Sequence, residues 1–154
     1  MTLYGLHIII LIHIQNLLNI LIHLNGIELS NTFCISRYIS RRTLCRTILG
    51  NKCEYLTISS LEEKHKYGVV ITARVHPGET VSSWLMQGKC RRIVGVMEFL
   101  VDSKDREAEI LRDNFVFKII PMLNPDGVVN GNYRCSISGC DLNRQWIKPS
   151  KVTF

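Results

Sequence analysis

Residues 68–79 are GVVITARVHPGE, an apolar stretch followed at once by a loop that carries a histidine and a glutamate. The apolar part, residues 68–73, is typical of a strand buried on both faces of a sheet. A proline and a glycine then force a tight bend, and a helix is predicted from residue 80 to about residue 101. This strand–loop–helix order predicts an α/β fold with functional side chains at strand ends.

Further elements on both sides extend this pattern. The runs 43–48 and 53–58 are β-prone and form a predicted hairpin with a turn at residues 49–52. Residues 115–121 (FVFKIIP) predict a second buried strand. Residues 124–127 (NPDG) predict a turn, and an irregular loop is expected from there to Asp141. The predicted architecture is a partial mixed sheet flanked by helices.

The length and composition predict one globular domain. The chain has 154 residues, 46% of them hydrophobic, and a formal net charge of +6. The charge favours acidic partners, but the basic residues are dispersed without interleaved aromatic rings, so no nucleic-acid partner is predicted. Six cysteines form no CxxC pair, which indicates reduced thiols and a cytoplasmic protein.

Residues 3–24 (LYGLHIIILIHIQNLLNILIHL) are the most apolar part of the chain. The run is long enough to span a bilayer, but six polar residues interrupt it and no clean amphipathic face emerges. Three interpretations remain: a weak membrane anchor, a buried helix of a larger protein, or a segment foreign to the native product. We favour the last two, and treat residues 1–33 as separate from the domain that follows.

His76 and Glu79 are candidate metal ligands. An imidazole nitrogen and a carboxylate oxygen are both zinc donors, and a two-residue spacer in a bend lets them converge on one ion. The alternative is structural, since an acid near a helix start is favoured by the helix dipole.

A second candidate cluster lies in the segment DLNR, residues 141–144. The amide of Asn143 and the guanidinium of Arg144 can hold a carboxylate between them, and the NPDG segment is a further candidate for this role. Arg134 could face an oxygen that becomes negative during acyl attack. Asp141 could accept the second ring N–H of a metal-bound histidine. An ordinary surface loop remains the alternative.

Taken together, HPGE, NPDGV and NGNYRCSISGCDLNRQW resemble the M14 zinc carboxypeptidases. The likeness is greatest to the cytosolic carboxypeptidases, which trim glutamates from protein tails. It implies that residues 34–154 are the N-terminal half of a catalytic domain, that the cofactor is zinc, and that the substrates are glutamate-rich tails such as those of tubulin.

The resemblance also implies a role for each site residue. His76 and Glu79 match the first two zinc ligands, and Asp141 matches the residue that supports the zinc-bound histidine. Arg134 resembles the arginine that stabilises the oxyanion. Asn143 and Arg144 resemble the clamp on the substrate's terminal carboxylate.

The sequence departs from this family in two ways. The family's third zinc ligand is a later histidine and its general base a still later glutamate, whereas no histidine follows His76. We therefore expect the 154 residues to be inactive. Residues 89–95 (KCRRIVG) are interpreted as an insertion that lengthens the helix by about 10 Å, which would displace residues 115–121 or force a bulged loop. The competing functions are a non-enzymatic binder of acidic tails and a membrane-associated protein.

Overall fold

The structure is a computed structural model that describes residues 38–62, 64–88, 95–102 and 104–149. The apolar run at residues 3–24 lies outside them. The strands are β1 (Ile39–Arg46), β2 (Lys52–Ile58), β3 (Tyr67–Thr72) and β4 (Phe115–Ile120). The helices are α1 (Val81–Gln87), α2 (Val96–Val101), α3 (Arg106–Asn114) and α4 (Pro125–Asn130), and a 3₁₀ turn covers Leu142–Arg144.

The strands form one mixed sheet in the order β1-β2-β4-β3. The hairpin is confirmed, because β1 and β2 pair antiparallel with Ile39 opposite Ile58 and Arg46 opposite Lys52. Strand β4 runs antiparallel to β2 and parallel to β3. The parallel pair requires the crossover that α1, α2 and α3 supply. The predicted fold class, a partial mixed sheet flanked by helices, is therefore correct.

The core lies on one face of the sheet. Its buried members come from β2, β4, the end of β3 and the first two helices: Leu56, Ile58, Phe117, Ile119, Ala73, Met86, Met97, Leu100 and Val101. On β3 the burial alternates, and Val70 is 69% exposed on the opposite face. The prediction that β3 is buried on both faces is wrong for the described residues. Strand β3 is one of the two edge strands of the described sheet, and most of its residues are exposed.

The single helix predicted for residues 80–101 is also wrong. Helix α1 ends at Gly88, which adopts a left-handed φ of 66°, and α2 starts after Gly95. These two glycines approach so closely that a Cβ on Gly95 would lie 2.3 Å from the backbone nitrogen of Gly88. The end of α1 and the start of α2 therefore lie directly beside each other. The expected lengthening of one continuous helix is therefore wrong. Residues 89–94 lie outside the described residues, and the insertion itself stays a prediction.

Two helices were not predicted from the sequence. Helix α3 is highly charged and buries only Ala108 and Arg112, and the side chain of Asp105 caps its start by accepting from the Ala108 N–H. Helix α4 begins inside the predicted turn, because Asn124 caps it and Pro125 occupies its first position. No helix in the described ranges is long and apolar enough to cross a membrane.

Candidate active site

The site is built at the ends of the parallel strands β3 and β4. The Ala73 N–H donates to Ile120 O at 2.9 Å, and the Leu123 N–H donates back to Ala73 O at 2.9 Å. The chain from β3 then bends through the HPGE loop, residues 76–79, where the Gly78 N–H donates to Tyr133 O at 2.7 Å. A side chain at Gly78 would meet Tyr133 at 2.4 Å. Glycine is therefore required here by close packing.

His76 lies at the centre of the site and is 6% exposed. Its Nδ1 is 3.1 Å from Oε1 of Glu79, and its Nε2 is 2.9 Å from Oδ1 of Asp141. Both ring nitrogens therefore face carboxylate oxygens. Glu79, in contrast, is about half exposed and lies just before α1.

Asp141 joins the histidine to the arginine of the site. Its second oxygen accepts from Nε of Arg134 at 2.8 Å, and its first also accepts from the Asn143 N–H at 3.0 Å. Loss of hydration by itself would raise the pKa of Asp141. The hydrogen bonds from His76, the Asn143 backbone and Arg134, together with the charge of Arg134, outweigh it and hold that pKa below its ordinary value.

His76 and Glu79 fit a metal ion. Two ligands of a tetrahedral zinc ion with bonds of about 2.0–2.1 Å lie roughly 3.3 Å apart, close to the 3.1 Å between Nδ1 and Oε1. A neutral imidazole has a donor on only one nitrogen. When Nε2 donates to Asp141, Nδ1 of the neutral ring carries a lone pair. Its contact with the Glu79 carboxylate is then favourable only with a second proton or a metal ion between the two atoms. In the described part of the chain, no three His, Cys, Asp or Glu residues are grouped to hold a metal.

Asn143 and Arg144 share the 3₁₀ turn that starts at Asp141. The side-chain oxygen of Asn143 accepts from Nε1 of Trp146 at 2.9 Å, which leaves its amide N–H groups as the donors. Arg144 is exposed. The turn thus carries both clamp candidates directly beside the residue that contacts His76.

The NPDG segment has a structural role, so the idea that it holds a substrate carboxylate is wrong. Asn124 is buried; its oxygen accepts from the Gly127 N–H at 3.0 Å and its amide donates to Val75 O at 3.2 Å. Asp126 is 4% exposed and accepts from the loop of the β1–β2 hairpin. Its donors are Thr47 Oγ1, the Leu49 N–H and Asn51 Nδ2. These polar groups are already satisfied by the protein.

A cavity of about 660 Å³ lies beside the site, between the hairpin loop, the start of α4 and the segment 136–146. Its walls include Leu44, Cys45, Cys53, Leu142 and Trp146. His76, Glu79, Arg134 and the two clamp candidates do not line it. It is therefore separate from the cluster in which the chemistry is expected.

The sequence analysis overlooked Arg74, which is 1% exposed and lies two residues before the histidine. Its guanidinium donates to Ser83 Oγ and to Pro77 O. The available signal was a charged residue at the end of an apolar strand, where an exposed position would otherwise be expected. The role of Asp126 was also missed, since its partners lie more than seventy positions earlier in the chain.

The described residues form an α/β sheet with a buried histidine between two carboxylates at a strand end, an arrangement that indicates a hydrolase-like active-site loop of the α/β class. Residues 35–152 match the family described as zinc carboxypeptidase, peptidase M14. The match covers more than half of the chain, and the chain belongs to this family.

Named relatives agree with this assignment. Human cytosolic carboxypeptidase 4 is 52% identical over 123 residues, which are 73% of this chain and 10% of that protein. Cytosolic carboxypeptidase 2 of Danio rerio is 54% identical over 122 residues, 76% of this chain and 16% of the relative. The matched region therefore spans between a tenth and a sixth of these relatives' length.

Solved structures share the fold. A metallo-carboxypeptidase from Burkholderia cenocepacia superposes with a TM-score of 0.66 at 34% identity, covering 75% of this chain and 30% of that one. A metallo-carboxypeptidase from Pseudomonas aeruginosa, in complex with (2-guanidinoethylmercapto)succinic acid, gives a TM-score of 0.58 at 28% identity. It covers 73% of this chain and 28% of the other.

Proposed function

We propose that this chain forms part of a zinc carboxypeptidase that removes C-terminal or side-chain glutamates from acidic protein tails such as those of tubulin. The observation that carries the proposal is one connected cluster: Glu79, His76, Asp141 and Arg134 in direct succession. The proposal places it in the cytoplasm, in agreement with the names of its relatives.

In this proposal His76 and Glu79 hold the zinc ion. Asp141 keeps the imidazole in one orientation, with the proton on Nε2 and the lone pair of Nδ1 directed at the metal. When bound, zinc supplies polarisation of the substrate carbonyl and a lowered pKa of its water.

Arg134 is assigned to the oxygen that becomes negative during the reaction. Its Nε is committed to Asp141, and its Nη1 lies 4.0 Å from Oε1 of Glu79. The guanidinium is thereby held at the edge of the metal pair, where a substrate carbonyl would lie. Its terminal nitrogens are the donors that can face that oxygen.

Asn143 and Arg144 are assigned to the terminal carboxylate of the substrate. A charged guanidinium and an amide on one turn can make a forked set of hydrogen bonds to two carboxylate oxygens. The net charge of +6 favours acidic tails. The Pseudomonas relative was solved in complex with a succinic acid derivative, which supports recognition of carboxyl groups as part of the proposal.

We further propose that a polypeptide of these 154 residues alone does not hydrolyse peptides. His76 is its last histidine, whereas a catalytic zinc site takes three protein ligands. We therefore expect these residues to bind glutamate tails without hydrolysing them, and binding is the property to measure.

The test compares two peptides that end in several glutamates, one with a free C-terminal carboxylate and one amidated. We expect the free peptide to bind at least about tenfold more tightly, because a charge-assisted hydrogen bond contributes about 1.5–3 kcal/mol. Arg144→Ala should abolish the difference, while Arg106→Ala, an exposed arginine on α3, should leave it unchanged. Equal binding of the two peptides to the unaltered chain would refute the assigned clamp.

A further inference from the structure

Arg74 combines several unfavourable features at one position. Its φ of 54° is the only positive value at a non-glycine residue in the ranges that the structure describes. A long side chain in this region is strained, because Cβ approaches the neighbouring backbone. Its backbone is held there from both sides: the Arg74 N–H donates to Ser82 Oγ at 3.1 Å, and Arg74 O accepts from the Asn124 N–H at 3.2 Å.

The guanidinium of Arg74 is also buried without a carboxylate. It donates through Nη1 to Ser83 Oγ at 2.9 Å and through Nη2 to Pro77 O, while Nε has no partner. Within the described residues no Asp or Glu forms an ion pair with it. An unpaired buried charge is unfavourable for stability, so a role in folding alone does not account for it.

Pro77 O, the acceptor of Nη2, lies inside the HPGE loop between His76 and Glu79. The same loop is fixed from outside by the bond from Gly78 to Tyr133 O and internally by the Glu79 N–H, which donates to His76 O at 3.2 Å. Arg74 thus connects the carbonyl between the two candidate ligands to Ser83 on α1. Backbone strain of this kind is often found where a site must be held in one geometry.

We propose that Arg74 is a positioning residue that, by anchoring Pro77 O to α1 through Ser83, sets the separation of His76 Nδ1 and Glu79 Oε1 at metal-binding distance. This inference rests on the proposed function, because the position of these two atoms matters only if they bind a metal ion. The geometry that it explains can be measured without metal.

The experiment uses the whole chain with three variants. Arg74→Met keeps the aliphatic stem and removes both hydrogen bonds, and Arg74→Lys keeps the charge and restores one donor group. Arg112→Met is the matched control, since Arg112 is a buried arginine that donates to Leu100 O and Asp102 O at the end of α2. Both Met variants should lose stability.

The readouts that separate positioning from stability are the ¹⁵N shifts of the His76 ring and the hydrogen-exchange rate of the Gly78 amide in metal-free protein. A titration with zinc alone is the third. We expect Arg74→Met to change the ring shifts, to speed Gly78 exchange at least tenfold relative to Arg112→Met, and to weaken zinc binding about tenfold. Arg74→Lys should recover part of each effect.

The proposal is overturned if Arg74→Met and Arg112→Met give the same His76 shifts and the same Gly78 exchange. If Arg74→Met does not fold, Ser83→Ala removes one of the two anchoring bonds. It should shift the same signals in the same direction, and unchanged signals would overturn the proposal. If the unaltered chain binds no zinc, the assignment of His76 and Glu79 as sufficient zinc ligands in these residues fails, while the metal-free signals still decide the role of Arg74.

Discussion

Asp126 offers a direct test of how the hairpin is held against the site. Its carboxylate is 4% exposed and accepts from Thr47 Oγ1 at 2.5 Å, the Leu49 N–H at 3.1 Å and Asn51 Nδ2 at 2.9 Å. Asp126→Ala removes the acceptor from all three donors. The donors lie in a partly solvated loop, where water can replace part of what is lost, so each bond contributes about 1 kcal/mol. We expect Asp126→Ala to lower the free energy of unfolding by about 3 kcal/mol.

Asp126→Asn is the finer perturbation. It keeps the shape and one acceptor oxygen but turns an N–H₂ group toward a donor and removes the charge. We expect a loss of about 1.5–2 kcal/mol. The matched control is Asp113→Asn on the partly buried end of α3, for which we expect a change within about 0.5 kcal/mol.

The assay is urea unfolding followed by far-UV circular dichroism and by the fluorescence of the two tryptophans. A loss of 3 kcal/mol corresponds to a midpoint roughly 2 M lower for a domain of this size, with the slope unchanged. The amide of Leu49 should also exchange faster. An Asp126→Asn protein as stable as the Asp113→Asn control would show that these three contacts do not hold the hairpin.

Three further outcomes are expected. Gly78→Ala should destabilise the protein by about 1–3 kcal/mol, because its Cβ would lie 2.8 Å from Tyr133 O; Gly68→Ala has open space around it and should be nearly neutral in the same urea assay. Burial raises the pKa of the Cys53 thiol from 9.0 to about 11, with a contribution from Cys45. The unfolded chain therefore loses this proton first, and the free energy of unfolding should fall as pH rises from about 9 to 11, a slope that Cys53→Ala should reduce. Asp105→Ala should cost about 1 kcal/mol by removing the cap of α3; circular dichroism that shows no loss of stability would contradict this.

Much of the fold was predictable because the signals are local. The β-prone runs around residues 49–52 and the apolar run before the HPGE loop each carry their own pattern, and all three strands formed close to the expected positions. The helices were harder. Helix α3 has few apolar positions, and its stability depends on the Asp105 cap and on Arg112, whose partners lie on other elements.

The short-range part of the candidate site could be inferred from the sequence, and so could the contact of Asp141 with the ring of His76 that the family resemblance implies. The spacing of His76 and Glu79 is short, so the chemistry of two converging donors can be inferred from four residues. The internal hydrogen bonds of Asn124 and Asp126 could not be inferred in this way. Their partners belong to the loop after β3 and to the β1–β2 hairpin, which are distant in the sequence.

The sequence by itself determined which donor groups are present, the order of the strands along the chain, and that no histidine follows His76 in these residues, since these depend on residue identity and short-range pattern. Only the tertiary structure decided which ring nitrogen of His76 meets Asp141, 65 positions later, that Arg74 is buried beneath the loop, and that one face of β3 is open. The physical reason is that such contacts depend on the pairing register of β3 with β4 and on the helices packed against them, and no local pattern encodes either.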